Sequence, residues 1–198
     1  VARGIGLDRR IGAKFLHPGP GFGGSCFPKD TRALFETSLA ADAPLQIVET
    51  VIEINEKRKK AMATRVINAC NGSLTNKRVA VLGLTFKPNT DDMRESPSLD
   101  ILSELIKRGA TIRAYDPEGM GEARRLLSDV EFCDSSYATL EEADALVLIT
   151  EWNEFRALDL DRVKSLMRTP VIIDLRNIYD PNDMTAKGFA YSSIGRPM

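Results

Sequence analysis

Histidine is almost absent from this 198-residue chain: His17 is the only one. A Ser-His-Asp or Cys-His mechanism could therefore run only through that residue. The three cysteines, Cys26, Cys70 and Cys133, are odd in number, widely separated and without a CxxC pair. A structural zinc needs about four Cys/His ligands at close spacing, so that class of site is excluded, and so is a disulfide framework. The cysteine usage points to a reducing cytoplasm. Charge of one sign is missing as well: 27 Lys+Arg against 28 Asp+Glu leave a net −1. A nucleic-acid or membrane-surface binder would need a basic excess, so neither partner is expected. No apolar run approaches the roughly 20 residues that span a bilayer. Val1-Ala2-Arg3-Gly4 is neither an initiator methionine nor a secretory signal, so the chain reads as the middle of something longer. Without a secretory route, the sequon Asn71-Gly72-Ser73 reads as a turn.

With 43% hydrophobic and 28% charged residues there is material for a substantial core, enough for one large domain or one plus an appendage. Residues 1–26 are irregular and rich in glycine and proline. A helix is expected next, with Pro28 and Asp30 in its first turn, where a missing N–H costs nothing and the dipole favours a carboxylate. From Pro44, the residues Val48, Val51, Ile52, Asn55, Met62, Val66, Ala69 and Cys70 recur at helical spacing and stop at Asn71-Gly72. A helix of ~26 residues would be ~39 Å long, suited to joining domains or lining a subunit interface. Its basic run Lys57-Arg58-Lys59-Lys60 reads as a solvated face.

After residue 76 the pattern alternates. Strands are expected at 78–82, 111–115, 130–132, 145–149, 171–173 and 189–191, and helices at 98–108, 120–127, 139–142 and 158–167. Such βαβ units predict an α/β fold, a Rossmann-like, doubly wound parallel sheet preceded by a helical segment with one long helix. The expected division is residues 1–75 and 76–198.

Two stretches could carry chemistry. Gly19-Pro20-Gly21-Phe22-Gly23-Gly24 fits GxGxxG, but no strand precedes it, so the match is accidental. The first strand instead runs into Leu82-Gly83-Leu84, one glycine where a dinucleotide turn needs three. The glycines still matter, because backbone N–H groups free of Cβ neighbours can converge on an anion. They lead into Ser25-Cys26, ahead of a helix N-terminus and near Lys29, both of which favour thiolate. Asp30 is one turn on and could act on water. This set fits covalent catalysis on a carbonyl; the other reading is a tight loop around a buried, inert cysteine. Cys70 and Cys133 read as packing residues. The second stretch, Phe86 to Pro97, follows the first strand, where open α/β sheets bind ligands. Lys87 and Arg94 offer donors to phosphate, Ser96 is placed to cap the next helix, and Arg176 lies at the equivalent edge; capping and surface ion pairing are the other reading of each of these residues.

Gly21 to Asp30, followed by Gly83-Leu84-Thr85-Phe86-Lys87 and Asp92-Met93-Arg94-Glu95-Ser96, resembles the UDP-glucose/GDP-mannose dehydrogenase family, as does Arg9-Arg10-Ile11-Gly12. The resemblance covers the whole chain but only the second half of such an enzyme. It implies two hydride transfers to NAD that oxidise the C6 alcohol of UDP-glucose to the acid, with GDP-mannose or UDP-N-acetylmannosamine as alternative substrates. By resemblance Cys26 forms a thiohemiacetal and then a thioester, Asp30 assists hydrolysis, and Lys29 supports the local charge. Phe22, Gly23 and Gly24 would hold the sugar; Phe15, Leu16, Phe86 and Lys87 would line the nucleotide-sugar site, with Arg176 on the UDP side. Arg10 would reach the site of a second subunit across a homodimer built on the long helix, and Arg94 would touch the NAD pyrophosphate. Some relatives carry lysine where this chain has His17. Taken alone, the chain also fits a non-catalytic UDP-sugar-binding and dimerisation module.

Overall fold

A computed structural model describes residues 1–196. The glycine-rich start is less irregular than expected: Ala2–Ile5 form a short helix α1 and Ala13–Leu16 a 3-10 turn. Helix α2 (Phe27–Ala40) begins at Cys26, with Pro28 and Asp30 in its first turn. Helix α3 (Gln46–Ala69) has 24 residues, ~36 Å at the standard rise. It ends as the sequence indicates. Asn71 and Gly72 take φ of 60° and 81°, and Gly72 N donates to Ile67 O at 2.9 Å.

The two halves of α3 have different surroundings. Met62, Ala63 and Val66 are buried, whereas Ile47 is 81% and Ile54 56% exposed. The buried half packs on α4 (Pro97–Lys107) and shares a core with Ile101, Leu102 and Leu105. The expected division at residue 75 thus falls in the turn after α3, while the hydrophobic contact runs across it.

The sheet has six strands, β1 (Arg78–Leu82), β2 (Thr111–Tyr115), β3 (Val130–Phe132), β4 (Ala145–Leu148), β5 (Val171–Asp174) and β6 (Ala190–Ser193). All pairs are parallel in the order β3-β2-β1-β4-β5-β6. The order reverses between β1 and β4, where Val79 stands opposite both Ile112 and Ala145. Side-chain alternation divides the core. Val79, Val81, Ala145 and Val147 face α3 and α4; Ala80, Leu82, Leu146 and Leu148 face the opposite layer with Leu140, Phe155 and Val163. The intervening helices are α5 (Met120–Leu126), α6 (Ser136–Leu140), α7 (Asn153–Arg156), α8 (Leu160–Leu166) and α9 (Pro181–Ala186). The single helix expected over 158–167 is shorter, because Asp159 caps α8 by accepting from the Asp161 and Arg162 N–H groups. Helix α9 was not anticipated, although Asp180 caps it and Pro181 occupies its first position.

The expectation for the basic run is overturned. The basic run on α3 is not a solvated face. Lys59 is 2% exposed, and Arg58 Nε donates to Gly19 O at 2.8 Å. Only Lys57, paired with Glu53 at 2.9 Å, and Lys60 face solvent. A run of like charges on a helix spans all faces within one turn, so two of the four turn inward. Among the described residues, no helix is long and apolar enough to cross a membrane.

Candidate active-site loop at the sheet edge

Cys26 sits at the N-cap of α2, exposed, with its Sγ 3.7 Å from Ser25 Oγ. Its carbonyl accepts the Asp30 N–H at 2.8 Å, which starts the helix. The loop before it is held from two sides. Asn55 of α3 is buried and makes a reciprocal amide pair with Phe22: Phe22 N donates to Oδ1 at 2.9 Å, and Nδ2 donates to Phe22 O at 3.1 Å. On the other side Gly24 N donates to Arg94 O at 2.8 Å, in the loop between β1 and α4. The glycines permit that approach. Gly24 has φ of 88°, and a Cβ there would stand 2.8 Å from the Phe86 ring; a Cβ on Gly23 would run into the Glu95 carbonyl. The N–H groups of Phe22 and Gly24 are therefore spent inside the protein. They do not form the anion cradle that closely spaced glycines suggested.

The β1–α4 loop brings up the second group. Lys87 Nζ lies 5.2 Å from the centre of the Phe86 ring and is otherwise exposed. Arg94 grips Asp92 with two side-chain bonds, at 2.9 and 2.8 Å. This pair holds the Asp92 carboxyl below the usual carboxylate range and the Arg94 guanidinium above its own. Ser96 caps α4, and its hydroxyl and that of Ser98 both donate to Leu84 O. Arg176 is drawn inward. Its Nε donates to Ile149 O at 2.7 Å and Nη2 to Phe86 O at 3.2 Å, so Glu151 at 3.0 Å from Nε pairs with it by charge alone. Burial pushes the guanidinium pKa down. Arg176 also borders a recess of about 240 Å³ lined by His17, Pro18, Arg156, Asn177 and Arg196, with no acidic side chain among them.

A thiol at a helix start, seated against the first crossover loop of a parallel sheet, is a specific arrangement. Residues 1–57 match the central domain of the UDP-glucose/GDP-mannose dehydrogenase family, and residues 80–181 its UDP binding domain. The chain belongs to that family. It is 57% identical over 197 residues to UDP-glucose 6-dehydrogenase of Rhizobium meliloti (strain 1021), covering 100% of this chain and 45% of the relative. Against UDP-glucose 6-dehydrogenase TuaD of Bacillus subtilis (strain 168) the identity is 46% over 198 residues, covering 100% and 43%. The solved UDP-glucose dehydrogenase of Pyrobaculum islandicum superposes with a TM-score of 0.80 at 33% identity, over 96% of this chain and 42% of that one. The chain thus spans under half the length of these family members.

The structure gathers only part of the residues that the family pattern singles out. Phe22, Gly23, Gly24, Cys26, Phe86, Lys87 and Arg94 converge through the contacts just described, and Arg176 joins them through Phe86 O. Lys29 and Asp30 lie one turn into α2, both exposed, with Nζ 3.4 Å from Oδ1, so the lysine is paired with its neighbour. Leu16 ends the 3-10 turn half-buried, whereas Phe15 is 89% exposed. Arg10 points into solvent, bound to Asp8 at 2.6 Å. Sequence reasoning missed Asp116. It is buried after β2 and accepts from Leu84 N, Thr85 N, Thr85 Oγ1, Glu118 N, Gly119 N and Trp152 Nε1. An acid immediately after a Rossmann strand was the signal that could have drawn notice.

Proposed function

We infer that this chain supplies the thiol-bearing and UDP-binding parts of an NAD-dependent nucleotide-sugar 6-dehydrogenase acting on UDP-glucose, a cytoplasmic enzyme, with residues 1–75 and 76–198 as its two units. The observation that carries this reading is the seating of the Cys26 loop on the β1–α4 loop by the Gly24–Arg94 bond. It puts the thiol at the C-terminal edge of a parallel sheet, beside its topological switch, where such sheets bind ligands.

NAD does not fit the first turn of this sheet. Gly83, with φ of 88°, is packed against Thr150, and Asp116, the acid that would take a ribose hydroxyl, has its oxygens occupied by the chain's own donors. Of this chain, the resemblance assigns only the exposed Arg94 to NAD. The steps that fall to these residues are additions to a carbonyl carbon. The Cys26 thiolate adds to the C6 aldehyde: an S–C bond forms, the C=O π pair moves to oxygen, and that oxygen takes a proton to give the thiohemiacetal. After oxidation to the thioester, water orientated by Asp30 adds to the same carbon. The C–S bond then breaks, the thiolate leaves, and the acid is released. Lys29 Nζ, 3.4 Å from Asp30 Oδ1, adds positive charge beside that carboxylate. Lys87 offers positive charge to a diphosphate and Phe86 a ring face; Arg176, bonded inward through Nε and Nη2, adds its charge from the wall of the recess. Arg10, unattached to the rest of the site, is free to reach a second subunit, and the exposed apolar face of α3 at Ile47, Val51 and Ile54 is where a homodimer would bury it.

Calorimetry on this chain is expected to detect UDP-glucose more readily than NAD; tight NAD binding would overturn the reading of the first turn. In a polypeptide of the relatives' full length, Cys26→Ser is expected to stop acid formation while leaving UDP-sugar affinity within about tenfold. Unchanged turnover would eliminate Cys26 as the nucleophile.

A further inference from the structure

Five charged side chains meet where α2, α3, α4 and the β1–α4 loop converge: Lys59 is their buried hub, and Glu95 links it to Arg32. Its carboxylate accepts from both terminal nitrogens of Arg32 on α2, at 3.0 and 3.1 Å. It also lies 3.8 Å from Lys59 Nζ. Lys59 in turn meets Glu56 at 3.2 Å and Asp100 at 3.3 Å, with its side chain 3% exposed. Arg32 lies 3.8 Å from Glu56. The backbone of the same stretch touches the thiol loop. Arg94 O receives the Gly24 N–H, and Glu95 O packs on Gly23 so closely that no Cβ fits between them. Glu95 holds φ of 54°, a conformation that L side chains rarely adopt, so its contacts over-determine it.

Cys26 lies between these anchors: Gly24 precedes it on one side and Arg32 follows it on α2. We propose that Glu95 is a positioning residue, which uses its backbone and its carboxylate together to register the Cys26 thiol against the nucleotide-binding edge of the sheet. Without the Arg32 bond the thiol segment is bonded to the β1–α4 loop through Gly24–Arg94 alone, with Phe22–Asn55 tying it only to α3, and the thiol can shift against the sheet. The clamp itself stands on geometry. Its catalytic consequence rests on the reading of Cys26 as nucleophile.

Two cations and three carboxylates make the cluster, so Glu95→Gln leaves two of each and the buried Lys59 still paired. Arg32→Leu opens the clamp from its outer side, where Arg32 is 46% exposed, and carries the test should the first variant fail to fold. Cys70 and Cys133 are buried, so a trifluoromethyl ketone reagent labels Cys26 alone on the 198-residue chain. Fluorine NMR is expected to give one line for the parent and split or broadened lines for either variant. Amide exchange at Gly24 is expected to rise roughly three- to tenfold, while β1 and β4 amides keep their protection. An unchanged spectrum with unchanged Gly24 exchange in a folded variant overturns the proposal. In a full-length dehydrogenase, Glu95→Gln is expected to lower kcat with little change in KM for the nucleotide sugar; a raised KM with kcat intact also overturns it. Turnover that survives Cys26→Ser would remove the nucleophile and leave the clamp standing, so the two readings fail separately.

Discussion

Lys59→Met removes a buried ammonium and nothing else of similar size. In the parent, Nζ has Glu56 at 3.2 Å, Asp100 at 3.3 Å and Glu95 at 3.8 Å, and its stem is enclosed by the helix packing. A unit pair at such a distance is worth roughly 5 kcal/mol at an effective dielectric of ~20. The cost of burying the ammonium offsets much of that, and the three carboxylates are 38–40% exposed and partly screened by water. Removing the cation leaves three carboxylates with Arg32 alone. A net loss of about 2–3 kcal/mol is expected, which for a chain of this size lowers Tm by roughly 5–10 °C. Lys57→Met is the control: two positions earlier in the same basic run, with its partner Glu53 in solvent, it is expected to change almost nothing. Urea titrations of both variants at pH 7 make the measurement. The sign with pH is also determined. Arg32 first, and then the field of Arg32 and Lys59, hold the Glu95 carboxyl below its ordinary value. Stability from this cluster is therefore complete above the unfolded carboxylate range and is lost as pH falls through the lower folded value. The gap between parent and Lys59→Met should accordingly narrow on acidification below about pH 4. A Lys59→Met chain within ~0.5 kcal/mol of Lys57→Met would refute the buried-hub reasoning.

Other outcomes follow from the same contacts. Gly23→Ala forces a Cβ against the Glu95 carbonyl, which is backbone and cannot swing aside, so a loss of about 1–3 kcal/mol is expected in chemical denaturation. Gly121→Ala, in α5 with open space around it, should instead gain up to ~1 kcal/mol; the opposite ranking would show that the loop is not seated as described. Iodoacetamide near pH 8 should modify Cys26 and spare the other two cysteines. Burial pushes the thiols of Cys70 and Cys133 up, and peptide mapping that finds either of them labelled in the folded chain would contradict that packing.

The sequence by itself determined the parallel α/β fold, because buried strands and crossover helices carry different hydrophobic periods that survive without tertiary information. Caps did the same for helix ends: Ser96 before α4 and Asn71-Gly72 after α3 were legible as local chemistry. The motif around Cys26 was legible for the same reason, since its residues are consecutive in the chain. What lay beyond reach depends on residues distant in sequence. Whether a lysine in a basic run is solvated or buried is decided by what packs on each face, and Lys59 is covered by carboxylates from Glu95 and Asp100, 36 and 41 positions away. The glycine loop looked like an anion cradle because its N–H groups were counted without their partners. Only the tertiary structure showed two of them committed to Asn55 and Arg94. Arg176 likewise read as a free ligand arm until the sheet closed around it and turned its Nε to Ile149. Local sequence sets which groups can bond. The fold decides with whom, because burial leaves no polar group free to choose water.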